Sequence, residues 1–202
     1  MSLESRSIPP RGDRTPDRLL VMLHGWGANS DDLAGLVNLL DLPEYQFIFP
    51  NAPFPHFQIP GGRAWYALES EKREGLTESR ELLLTWLRSL PEQTKIPLDR
   101  TVLFGFSQGG AMTLDVGFEL PFAGLCSFSG YFHAIPQANS TSPPTLIVHG
   151  EFDPVVPLQA ARDVKETLTA QGVSIKYWEF PMAHEIDYKA LSALQDFITA
   201  IP

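Results

Sequence analysis

The feature that most constrains this chain is a set of short apolar runs that recur along it: Leu19-Leu20-Val21-Met22-Leu23, Phe47-Ile48-Phe49, Val102-Leu103-Phe104 and Leu146-Ile147-Val148. A strand with one wet face alternates apolar and polar residues. These runs do not alternate, so each must be covered on both faces, as happens in a parallel sheet sandwiched between helices. The segments between them carry helical spacing. Ser30 or Asp31 caps a predicted helix with Leu33, Leu36, Val37 and Leu40; Thr77 to Leu90 places Leu83, Leu84, Leu87 and Leu90 on one face; Ala111 to Val116, Leu158 to Gln171 and Tyr188 to Ile201 supply three more. With Phe122–Phe128 and the alternating Ser174–Phe180 as further strands, six strands alternate with helices. The expected fold class is α/β, with a mostly parallel central sheet of about six or seven strands, helices on both faces and no large lid domain.

Domain organisation follows from the same pattern. Residues 1–16 are polar and carry Pro9, Pro10 and Pro16, and are expected to form a loosely ordered arm or at most a short edge strand; residues 17–202 form a single domain. Residues 51–66 hold too many prolines and glycines for a regular element, yet are rich in aromatic side chains. A long irregular loop of that kind in a compact domain is more often functional than idle.

Ligands of such sheets gather at the carboxyl ends of the strands. One strand end is distinctive: Gly105-Phe106-Ser107-Gln108-Gly109-Gly110 follows the Val102–Phe104 run and precedes a helix. Glycines on both sides of a serine suit a sharp strand-to-helix turn that holds the hydroxyl out of the sheet; the plainer reading is a helix N-cap. A serine hydroxyl needs a base, and the base an orienting acid. Of five histidines, His24 and His149 sit at strand ends before glycines, where imidazoles commonly bond loop backbone, and His56 and His133 lie in irregular loops. His184 follows the last strand, just ahead of the closing helix, and is chosen as base. Asp153 follows a strand in a loop stiffened by Pro154 and Pro157 and is chosen as acid, with Glu151 as its rival. The chain order Ser107, Asp153, His184 is that of hydrolases built on this sheet. Oxyanion donors are expected from the amide of Gln108 and from the loop His24-Gly25-Trp26-Gly27, where Trp26 is assigned and Gly25 and Gly27 are the alternatives.

Together, Leu23-His24-Gly25-Trp26-Gly27, Gly105-Phe106-Ser107-Gln108-Gly109-Gly110, His149-Gly150 with Asp153, Val156 and Pro157, and His184 resemble the phospholipase/carboxylesterase family, which includes the acyl-protein thioesterases and small bacterial carboxylesterases. The resemblance runs from about residue 17 to the end. It implies an α/β-hydrolase fold, hydrolysis of carboxylic esters or thioesters without cofactor or metal, the triad Ser107, Asp153 and His184, and oxyanion donors at Trp26 and Gln108. Ala183 stands where many members have glycine, and Ala67 where many have an acid.

The expected activity is a serine esterase favouring short to medium acyl chains through an acyl-enzyme. Alternatives are an acyl-protein thioesterase or lysophospholipase, a lactone hydrolase or peptidase of the same fold, and a non-catalytic binding module on a hydrolase scaffold. The acyl site is expected from Trp26, Phe54, Phe57, Ile59, Trp65 and Phe132, covered in part by the 51–66 loop. A net charge of −9 with no Lys/Arg-rich run argues against nucleic acid as a partner. The single cysteine, Cys126, is expected in the core. No stretch reaches about 18 apolar residues, and the N-terminus lacks a signal peptide's apolar segment, so no stable membrane insertion, a cytoplasmic location and a monomer or homodimer are expected.

Overall fold

A computed structural model of the chain describes residues 3–12 and 14–201. Its centre is a seven-stranded sheet of β1 (Ser5–Ile8), β2 (Arg18–Leu23), β3 (Tyr45–Pro50), β6 (Thr101–Phe106), β7 (Gly124–Phe128), β8 (Thr145–Gly150) and β9 (Ile175–Phe180), in the order β1-β3-β2-β6-β7-β8-β9. All neighbours pair in parallel except β1, which runs antiparallel to β3. Of the two expectations for this segment, a loose arm or at most a short edge strand, the structure has the strand, at the edge of the sheet. Its side chains are mostly exposed, so backbone pairing along β3, and no apolar period, orders it.

The apolar runs are buried on both faces, as their composition requires. Leu20, Met22, Phe47, Phe49, Phe104 and Val148 point to one side, where helix α4 (Tyr188–Ala200) packs with Leu194, Phe197 and Ile198. The intervening residues Leu19, Val21, Leu23, Ile48, Leu103 and Leu125 face helices α1 (Leu76–Thr94) and α2 (Gln108–Val116). Helix α3 (Leu158–Ala170) covers Ile147 with Ala161, Val164 and Leu168. Cys126 is fully buried, and burial pushes its thiol well above the usual range.

Two local expectations are corrected. The helix expected after Ser30 is only a 3₁₀ segment, Ala34–Leu39: Asn29 N–H donates to Asp32 Oδ2, Asp31 N–H to Asn29 Oδ1 and Ser30 N–H to Asn51 Oδ1, and these side-chain bonds hold the backbone in turns that compete with an α-helix. The 51–66 loop is not wholly irregular, since β4 (Phe54–Pro55) and β5 (Arg63–Ala64) form a two-stranded ribbon. Beyond Leu90, α1 continues through Pro91 to Thr94.

Candidate active site

The site sits where β6 turns into α2. Ser107 has φ 55 and ψ −119, a conformation L-residues rarely adopt and one that surrounding structure must enforce. The enforcement is steric and local. A Cβ on Gly105 would lie 2.0 Å from the Gly109 carbonyl oxygen, and one on Gly109 would lie 2.2 Å from the Leu23 carbonyl oxygen. Only glycine at both positions lets α2 seat this closely on β2 and β6. Backbone bonds from Ser107 N–H to Phe128 O (2.8 Å) and from Ala111 N–H to Ser107 O (3.0 Å) close the turn.

Asp153 and His184, on loops after β8 and β9, reach the same place. His184 Nδ1 lies 2.7 Å from Asp153 Oδ2, and His184 Nε2 lies 2.9 Å from Ser107 Oγ. An ionised carboxylate only accepts, so Nδ1 carries the proton and Nε2 is left to accept from the serine hydroxyl. The other carboxylate oxygen, Oδ1, accepts from the amides of Val155 (2.8 Å) and Val156 (2.9 Å). The Asp153 side chain is fully buried. Burial alone would raise its carboxyl, but the bonds from His184 and the two amides outweigh it and hold it below the ordinary value. His149, also fully buried, steadies the loop through Nε2, which donates to Val156 O at 2.8 Å and lies 3.5 Å from Asp153 Oδ2.

The remaining histidines are tied elsewhere. His24 Nδ1 donates to Gly25 O (2.7 Å) and Nε2 accepts from Ala52 N–H (3.1 Å); desolvation by burial brings it down to about 4, so it is neutral. His56 accepts two amide bonds at Nδ1, and His133 Nε2 bonds the Tyr66 hydroxyl. Among the alternatives for the second oxyanion donor, Gly27 is excluded, because its N–H donates to Arg63 O at 2.8 Å. Among the described residues no protein group takes up the amides of Trp26 or Gln108.

Two clefts of about 310 Å³ each share Trp26 as a common wall. One contains Ser107 and His184 and is lined by Leu33, Leu36, Phe106 and Ile186; the other is lined by Phe54, Phe57, Tyr66 and Ala67, with Glu69, Glu74 and Glu78 at its rim. The expected substrate residues thus separate. Trp26, Phe54 and Phe57 face the paired clefts, whereas Ile59 lines an adjoining depression over the 55–63 loop. Two expectations fail. Trp65 is entirely buried in the core facing α1 and presents no surface, since its indole N–H reaches inward to the His24 carbonyl (2.9 Å). Phe132 packs on the cluster beneath α3 instead of the cleft, while its neighbours Tyr131 and His133 are the ones that reach Tyr66. Leu33, Leu36, Phe106 and Ile186 were not anticipated; only Phe106, inside the Ser107 motif, carried a sequence signal. A larger groove of about 610 Å³ between β9 and α4, with Trp178 and Tyr188 exposed, holds none of these groups. Among the described residues no His/Cys/Asp/Glu group is arranged to hold a metal ion, and no helix is long and apolar enough to cross a membrane.

The family model of phospholipase/carboxylesterase matches residues 9–201. The chain belongs to the phospholipase/carboxylesterase family. A relative from Eremothecium gossypii, acyl-protein thioesterase 1, is 31% identical over 172 residues, 75% of this chain and 72% of its own. The Escherichia coli esterase YpfH is 26% identical over 198 residues, 92% of this chain and 84% of its own. Among solved structures, esterase PE8 superposes with a TM-score of 0.91 at 28% identity over the whole of both chains. Members of this family are hydrolases of the esterase and thioesterase type, and this chain has their α/β-hydrolase fold.

Proposed function

We propose that this chain is a serine esterase that hydrolyses carboxylic esters of short to medium acyl chain through an acyl-enzyme. The observation that carries the reading is the continuous line Ser107 Oγ, His184 Nε2, His184 Nδ1, Asp153 Oδ2, with steps of 2.9 and 2.7 Å between side chains from three separate strand ends. His184 takes the Ser107 proton as Oγ attacks the ester carbonyl, then gives it to the leaving alkoxide. The amides of Gln108 and Trp26 receive the charge that develops on the carbonyl oxygen. Water, deprotonated by the same imidazole, attacks the acyl-enzyme; collapse of the second tetrahedral species releases the acid and returns the proton to Ser107. Asp153 holds the imidazole in the productive tautomer and stabilises its protonated form.

The small cleft at Ser107 favours short to medium acyl groups. A second reading, acyl-protein thioesterase or lysophospholipase activity, draws support from the thioesterase names among the relatives and from the second cleft across Trp26, which could take a longer chain. Labelling with a fluorophosphonate probe, combined with a panel of p-nitrophenyl esters, acyl thioesters and lysophospholipids, tests both. We expect labelling that Ser107→Ala abolishes, with ester turnover falling by about 10⁶, and the highest kcat/KM on acyl groups of modest length. Intact activity in Ser107→Ala refutes the serine mechanism; a steady rise in kcat/KM through long acyl chains or thioesters favours the second reading.

A further inference from the structure

The two amides assigned to the oxyanion lie on separate stretches of backbone: Gln108 begins α2, and Trp26 follows β2. Stabilising a developing charge depends on both donors meeting one point, to within a few tenths of an ångström. A buried chain of side-chain bonds joins the two stretches. The Gln108 carboxamide makes a two-point contact with the backbone of residues 65–66: Oε1 accepts from Trp65 N–H at 2.9 Å, and Nε2 donates to Tyr66 O at 2.9 Å. This pattern admits only one orientation of the amide, because a flip sets donor against donor and acceptor against acceptor. From the same residue, Trp65 Nε1–H donates to His24 O at 2.9 Å, two residues before Trp26. His24 in turn donates to Gly25 O and accepts from Ala52 N–H. Ser79 Oγ, on α1, donates to Trp65 O and secures the middle of the chain. Gln108, Trp65 and His24 are each at most 1% exposed, so water cannot replace a bond that is lost.

We infer that Trp65 and the side chain of Gln108 are positioning residues that set the spacing between the two oxyanion donors, in addition to their part in the core. The inference rests on the esterase reading above. Neither side chain hydrogen-bonds to Ser107, His184 or Asp153, so loosening this brace leaves proton transfer intact and weakens only what is bound more tightly in the transition state than in the ground state.

The test uses Trp65→Phe, which keeps an aromatic ring and removes the N–H to His24 O, and Gln108→Met, which keeps length and removes both amide contacts, together with the double variant. With p-nitrophenyl acetate, each single variant is expected to lose about 10- to 100-fold in kcat, a part of the 10²–10³ that follows outright loss of one donor, while KM changes less than threefold and the pH dependence of kcat/KM keeps its midpoint. Affinity for a boronic acid analogue of the tetrahedral intermediate falls by the same factor as kcat/KM. Because both changes cut one brace, the double variant loses no more than about threefold beyond the worse single variant. A folded Trp65→Phe or Gln108→Met protein with kcat within twofold of wild type overturns the inference, as do parallel changes in kcat and KM or fully multiplicative losses in the double variant. Should Trp65→Phe fail to fold, the Gln108→Met result decides alone. Wild-type protein that resists fluorophosphonate labelling fails the esterase reading instead, a different outcome.

Discussion

Replacing Asp153 by asparagine is the sharpest probe of the site, because the structure dictates which way the new amide must face. In the wild type Oδ1 accepts from two backbone amides, Val155 and Val156, while Oδ2 accepts from His184 Nδ1. An asparagine can keep an oxygen at only one of these positions. Turning its NH₂ toward Val155 and Val156 would set a donor against two amide donors and lose both of the bonds that Oδ1 accepts. Turning it toward His184 sacrifices one bond and lets the imidazole adapt by moving its proton to Nε2. The second arrangement, which keeps both backbone bonds, is therefore favoured. It removes the lone pair that Ser107 needs. The corresponding change in a serine protease triad costs about 10⁴ in kcat, or about 5.5 kcal/mol of barrier. We expect a loss of that size for Asp153→Asn, with KM for p-nitrophenyl acetate within a few-fold and circular dichroism unchanged. Stopped-flow release of p-nitrophenol measures the acylation step directly. An Asp153→Asn protein within tenfold of wild type would refute both the pinned orientation and the proposed tautomer.

Two further outcomes follow from burial and close packing. His24 titrates near 4 in the folded protein against 6.5 in a model peptide, so between these values the unfolded chain binds a proton that the native state refuses. Stability then falls as pH drops from 6.5 toward 4, by about 3 kcal/mol in all from this residue; urea unfolding at pH 7 and pH 4.5 should show the loss, and His24→Asn should flatten it. Gly109→Ala forces a Cβ within 2.2 Å of the Leu23 carbonyl oxygen, a clash with backbone that no rotamer relieves. We expect a melting temperature lower by about 10 °C or more, or no soluble protein, by differential scanning calorimetry.

That Ser107, Asp153 and His184 meet was legible in the sequence because ligand sites of such sheets lie just after strands, and strands buried on both faces announce themselves by unbroken apolar runs. Leu19–Leu23, Val102–Phe104 and Leu146–Val148 located three strand ends, and the glycines around Ser107 marked the turn. The N-terminal strand Ser5–Ile8 was legible only as an alternative to a loose arm, since main-chain pairing leaves no mark on side-chain pattern. The 3₁₀ segment at Ala34–Leu39 has apolar spacing that also suits an α-helix, and only its turn-forming side-chain bonds decide between them.

What the sequence by itself determined is the architecture: a sheet covered on both sides, and the kinds of residue at its strand ends and their order. What the tertiary structure decided is which aromatic rings line the clefts around Trp26 and which lie in the core. Trp65 shows the difference. In sequence it is one more tryptophan in an aromatic loop, as eligible for the acyl site as Trp26. In the fold it is wholly buried, with its N–H on the His24 carbonyl and its backbone on Gln108. The reason is physical: an indole can spend its apolar face on a ligand or on the core, and the choice depends on where distant segments deliver an acceptor for its N–H, which local sequence does not encode.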